Sequence, residues 1–159
     1  MQTSYDILPA TGFAGQVISG ALSATMTAIT AAAYSYGVVL VTDRTSGVDR
    51  RQGILPAASG DLAVGEVMGI LIRREMDEPG PVPAGSVRDV LYMGEVLMYA
   101  ETAVSRDTFA FVRYTANGAL APGSLRADDD TSRAAQVTGL RFLETTTAAG
   151  LVRVRVNLQ

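Results

Sequence analysis

The chain closes on Leu151-Val152-Arg153-Val154-Arg155-Val156-Asn157-Leu158. Val152, Val154, Val156 and Leu158 fall on one parity, and Arg153, Arg155 and Asn157 on the other. Successive side chains of a strand point to opposite faces, so this alternation describes a half-buried β-strand with valines inward and arginines in water. Just upstream, Val137 to Glu144 reads as a partner strand and Thr145 to Gly150 as the connection, which predicts a terminal hairpin.

The same texture extends backwards along the chain. Thr108 to Tyr114 alternates Phe109, Phe111 and Arg113 with Ala110, Val112 and Tyr114. Asn117-Gly118 follows, a pair suited to the positive φ angles of a tight turn. Val87 to Tyr99 is long and strand-like, with Gly94 as a bulge or bend. Val38 to Thr42 and Val67 to Ile72 are continuous apolar runs, as buried strands are. Loops separate them: Asp43 to Gln52, Pro56 to Asp61, the proline-rich Asp77 to Gly85, and Pro122 to Arg133. Short strands punctuated by Gly and Pro predict a mainly β fold, a small β-sandwich or barrel-like domain, over residues 34–159.

Residues 1–33 are different. Asp6 is their only charged side chain, amid Ala, Ser, Thr, Gly and scattered apolar residues. A free disordered tail would carry more charge. Ile18, Leu22, Met26 and Ile29 recur at helical spacing, whereas Thr25, Thr27 and Thr30 are β-branched and Gly12, Gly15 and Gly20 interrupt. The segment reads as an N-terminal arm, either extended or a short helix, that cannot form a core alone and must lie on something else.

The 159 residues make one domain's length, 48% apolar and only 18% charged, where ordinary domains carry about 25% charge. The surface is short of charge, as it is when part of it is covered by a partner. Cys, His, Trp and Lys are absent, so all 13 basic residues are arginines. Without Cys or His the chain has no disulfide, no Ser-His-Asp or Cys-His nucleophile and no HExxH zinc site. A net charge of −3 argues against direct nucleic-acid binding. No apolar tract is long enough to span a membrane, and Met1 to Ala10 lacks the positive start of a secretory signal.

Few motifs compete for a chemical role. Asp128-Asp129-Asp130 is the one carboxylate run; it reads as a solvated loop or, failing that, a hard-cation site, but lacks the alternating ligands of a calcium loop. Glu75, Asp77 and Glu78 read as a rim of solvated charge rather than a glycosidase pair. No glycine-rich segment has the ending of a phosphate loop. The expectation is a non-enzyme without cofactor or metal.

Three stretches carry a family resemblance. They are Pro9-Ala-Thr-Gly-Phe-Ala-Gly-Gln16; Tyr36-Gly-Val-Val-Leu-Val-Thr42 with Gly65-Glu-Val-Met-Gly-Ile-Leu-Ile72; and the close from Ala135-Gln-Val through Arg141-Phe-Leu-Glu-Thr-Thr-Thr-Ala-Ala-Gly-Leu-Val-Arg-Val to Asn157-Leu158. Read together, the chain resembles the head cement, or capsid decoration, proteins of tailed phages. Ala31-Ala-Ala-Tyr-Ser35 departs from that pattern in being more apolar. The resemblance implies a virion structural protein on the outer surface of the capsid that bridges major capsid subunits, commonly as a trimer. Another virion β-module, in the tail tube or head–tail joint, is the alternative, and a carbohydrate-binding β-domain a more distant one that the absence of Trp disfavours.

Within that reading the expected partners are the major capsid protein and the chain itself, as a homotrimer covering the apolar excess. Ile7, Leu8, Phe13, Val17 and Ile18 are the expected anchors, since small buried apolar regions dominate binding energy. Arg44, Arg50 and Arg51 are expected to pair with acidic groups on the capsid or a neighbouring subunit; otherwise they pair with Asp43 and Asp49 within their own loop.

Overall fold

The organising element is β5 (Val87–Ala100), a strand of 14 residues that two groups of strands share. In the computed structural model, which describes residues 12–18, 22–44, 52–63, 65–74 and 76–158, eight further strands surround it. They are β1 (Ala24–Thr30), β2 (Val39–Thr42), β3 (Gln52–Ile54), β4 (Val67–Leu71), β6 (Phe109–Arg113), β7 (Leu125–Arg126), β8 (Ala134–Phe142) and β9 (Gly150–Asn157). One 3-10 turn, Ser59–Leu62, precedes β4.

The second half of β5 belongs to a closed five-stranded barrel. Met93 to Ala100 pairs antiparallel with β9, β9 with β8, β8 with β6, β6 with β7, and β7 returns to β5 at Ala100. The first half of β5 pairs with β1 on one edge and β4 on the other, and β1, β3, β2 and β4 complete a second circuit. The hand-over from β1 to β9 falls at Met93 and Gly94, and Gly94 adopts φ 139°, so the bend expected there is where β5 changes partners. Of the sandwich and the barrel, the chain adopts the barrel.

Alternation explains the cores. Val96, Met98 and Ala100 of β5, Val152, Val154 and Val156 of β9, and Leu140 and Phe142 of β8 fill the barrel, all fully or almost fully buried. Val39, Val41 and Ile70 join this cluster from the other circuit. Leu40, Leu71 and Val90, on the opposite parity, build a smaller core with Ala28, Tyr34, Met68 and Val82. Each fully buried Val, Leu or Phe contributes about 1.5–3 kcal/mol, so the larger cluster dominates.

The arm enters the fold as a seam. Gly15 N–H donates to Leu97 O at 2.7 Å, Leu97 N–H to Gln16 O at 2.9 Å and Ile18 N–H to Glu95 O at 2.9 Å. On the other side Arg73 N–H donates to Gly15 O at 2.9 Å. Residues 13–18 therefore close the gap along β5 between β4 and β7. The fit depends on two glycines with positive φ, Gly15 at 83° and Gly37 at 76°; a Cβ on Gly37 would stand 2.7 Å from that of Ala14.

The structure decides one open reading and shifts another. Of the extended and helical alternatives for the arm, residues 24–29 take the extended one, paired with β5, so Leu22, Met26 and Ile29 mark exposed positions near or on a strand, not a helical stripe. The turn after β6 is centred one residue later than Asn117-Gly118 suggested: Asn117 and Leu120 exchange both backbone hydrogen bonds, and Gly118 alone of the pair has positive φ.

Candidate functional site

The strands bring most charged side chains of the barrel into two groups. At one end, β5 delivers Glu101 just past its last residue, β6 ends on Arg113 and β7 on Arg126. Arg113 grips Glu101 with both prongs of its guanidinium, Nε to Oε1 at 2.8 Å and Nη2 to Oε2 at 2.7 Å. Its Nη2 also meets Asp130 Oδ2 at 2.7 Å, and Nη1 donates to Thr115 O at 3.1 Å. Arg126 lies 3.3 Å from Glu101, 3.0 Å from Asp130 and 2.5 Å from Asp128. The Arg113 and Glu101 side chains are 0% and 1% exposed. Every charge here is matched, as buried charges must be.

Electrostatics follow from the geometry. The hydrogen bonds to Glu101 are the main reason the Arg113 guanidinium holds its proton even more firmly than a free arginine; burial opposes this and Asp130 reinforces it. The Asp130 carboxyl is held below its ordinary value chiefly by its hydrogen bond to Arg113, with help from Arg126 and Asn117. The network also holds a strained loop: Asp130, Thr131 and Ser132 all have left-handed φ, at 47°, 57° and 64°. That conformation is unfavourable for residues with a Cβ, and for a β-branched Thr most of all. Tyr114 Oη–H donates to Ser132 O and Asn117 Nδ2 to Asp130 Oδ2, which pins it.

The acidic run is therefore not simply a solvated loop: Asp130 belongs to a buried ion network, Asp128 edges it and Asp129 stays exposed. Among the described residues no three acidic groups are placed to hold a metal.

The second group lies on the outer wall of the barrel. One row crosses four strands in register: Phe109, Arg141, Arg155 and Glu95. Arg153 lies opposite Leu97 in the next row, and Tyr99 opposite Leu151 in the one after. Glu95 serves both Arg153, at 3.2 Å, and Arg155, at 3.0 Å. The Arg141 guanidinium lies 4.5 Å over the Phe109 ring. Beside this wall, a groove of about 410 Å³ is lined by Leu22, Met93, Glu95 and Arg155.

A third surface is apolar. Leu22, Met26 and Ile29 are exposed on or beside β1, and Val87 lies opposite Ile29 on β5 at 60% exposure. No charged side chain interrupts residues 22–35.

The expected anchors are distributed over these surfaces unevenly. Ile7 and Leu8 lie outside the described residues, as do Arg50 and Arg51. Phe13 lies 4.4 Å beneath the Arg73 guanidinium. Val17 bridges to Val96 and packs on the main core, and Ile18 follows it along β5. Arg44 pairs across the sheet with Glu66, a partner the reading of its own loop had not considered. The sequence reading missed the network and the arginine wall. The wall's signal was present in the parity of Arg153 and Arg155; nothing local marked Glu101.

Known proteins resemble this chain over most or nearly all of its length. Residues 1–157 match the family described as "Structural cement protein (E217 gp24/Pam3 gp6)". A chain in the structure titled "The capsid of Myoviridae Phage XM1" superposes with a TM-score of 0.72 at 20% identity, over 99% of this chain and 98% of that one. The head fiber gp8.5 N base of bacteriophage phi29 is more distant, with a TM-score of 0.47 and 13% identity over 87% of this chain and 97% of that one. No curated protein matches.

Proposed function

Because this chain belongs to the structural cement protein family and is a structural protein of the phage head, we propose that it decorates the outer surface of the capsid and stabilises it by bridging major capsid subunits. The observation that carries this reading is the apolar strip formed by Ile29 and Val87, directly opposite each other on β1 and β5 and both exposed, with Leu22 exposed just before β1, on a domain whose own cores are already filled. Contiguous exposed apolar surface marks an interface. The chain acts here by contact alone, without catalysis.

Within this reading the arm divides its labour. Phe13, Val17 and Ile18 fasten the arm to the barrel, while Ile7 and Leu8 reach the capsid or a neighbouring copy. Arg50 and Arg51 extend the contact to acidic groups, and Arg44 supports their loop through Glu66. A homotrimer suits the strip, since symmetric assembly covers such surface with no second protein.

Replacing Ile29 by Asp and Val87 by Lys together tests the reading. Both side chains face water in the monomer, so the variant folds; its occupancy on heads assembled without the native protein falls to a small fraction of wild type. Full occupancy by the folded variant would remove the strip from the interface. Deleting residues 2–11 reduces occupancy while leaving the thermal midpoint within about 2 °C, because the backbone bonds of the seam among the described residues, made by residues 15–18, are retained.

A further inference from the structure

The arginine wall has too few carboxylates. Arg153 and Arg155 share the single side chain of Glu95, Arg141 has no carboxylate partner among the described residues, and Glu144, the other acid nearby, accepts the backbone N–H of Arg153 at 2.6 Å. Arg141 and Arg155 stand directly opposite each other on β8 and β9. Like charges so placed destabilise a sheet. Arg153 Nε is buried with no hydrogen-bond partner, an arrangement that costs free energy. The chain as a whole carries −3, so a positive face is not a by-product of composition.

We propose that this wall is a docking surface for an acidic, partly apolar segment of the major capsid protein. The inference rests on the attachment reading and names a second contact for it, apart from the apolar strip. Charge complementarity identifies the occupant's carboxylates: arginine forks take them bidentately. The flanking Tyr99–Leu151 pair, and Leu22 across the groove, provide apolar contact on either side. Three arginines against an acidic chain are too few for a phosphate backbone, which binds through many such contacts.

Two variants with opposite expected signs test the proposal on heads assembled without the native protein. Arg141→Gln with Arg155→Gln removes the like-charge pair; its affinity for heads falls roughly tenfold at low salt, from two ion pairs lost, while its thermal midpoint moves by only about 2 °C. Glu95→Gln frees Arg153 and Arg155 and tightens binding several-fold. Both differences shrink as salt rises. Unchanged affinity in either variant overturns the proposal. So does a change in the protein's own sedimentation mass in the arginine variant, which assigns the wall to a second copy, or retention of double-stranded DNA by the wild type that the arginine variant loses. Failure of wild-type protein to bind heads would instead overturn the attachment reading itself.

Discussion

Arginine serves opposite ends in two parts of one barrel. Around Arg113 and Arg126, two guanidiniums meet three carboxylates, those of Glu101, Asp128 and Asp130. On the outer wall, Arg153 and Arg155 share Glu95, and Arg141 meets no carboxylate among the described residues. The difference is one of solvent. Inside, an unmatched charge is unaffordable, so the chain supplies every counter-charge itself. Outside, water tolerates the mismatch, which leaves the wall free to be matched by something else. Saturated charge holds the fold, and unsaturated charge is available for contact.

The largest expected effect tests the saturated side. Arg113→Met leaves Glu101 buried without its bidentate partner, and breaking such a pair costs about 3–5 kcal/mol. For a chain of this size that lowers the thermal midpoint by roughly 10 °C. Calorimetry checks it, with Arg155→Met on the wall as the control that barely moves. Equal losses at the two sites would erase the contrast between them.

A double substitution sharpens the same point. With Arg113→Met and Glu101→Leu together, no buried charge is stranded, and apolar replacement of a buried pair is often neutral. Arg126 still holds Asp130 and Asp128. The double variant therefore recovers most of the loss, about 2 kcal/mol or more, giving a large coupling in a double-mutant cycle. Additive losses would mean that Arg113 acts through Thr115 and the loop rather than through Glu101.

How much of this was legible depends on what the signal looks like along the chain. The final strand, the terminal hairpin and β5 were legible because alternation is a local property: Val152, Val154 and Val156 declare their face within five residues. β7 has two residues and β3 three, too few for any period. β1 was obscured because its outward face carries Ile29 and threonines where a solvated strand carries charge. The ion network was opaque for a different reason. Glu101 lies 12 residues from Arg113 and 25 from Arg126, and only the closure of β5, β6 and β7 brings them together. Asp130 looked solvated because its neighbour Asp129 is.

Acid gives a further test of the saturated side. Asp130 has its folded-state pKa depressed below the ordinary 3.8. A depressed carboxylate contributes stability that is fully present above the unfolded value and is lost as pH falls through the folded one. The wild type therefore loses stability below about pH 4, as protonated Asp130 releases Arg113 and the left-handed loop. Asp130→Asn is less stable at neutral pH and shows a shallower acid limb in denaturation curves. An unchanged limb would place the acid response on other carboxylates.

The smallest expected effect is on the wall, and its sign matters more than its size. Arg141 has no carboxylate partner among the described residues; what it has is the Phe109 ring beneath it and Arg155 directly opposite. Arg141→Gln gives up an exposed cation–π contact of about 0.5–1 kcal/mol. It also relieves a cross-strand repulsion of about 0.2–1 kcal/mol. The two nearly cancel, so the midpoint moves by no more than about 2 °C in either direction at low salt. Salt then discriminates. It screens the repulsion and leaves the ring contact largely intact, so added salt raises the wild-type midpoint relative to the variant. A variant that loses stability equally at all salt concentrations would show that Arg141 is held for its packing on Phe109, and the wall would then have one fewer arginine kept for a partner.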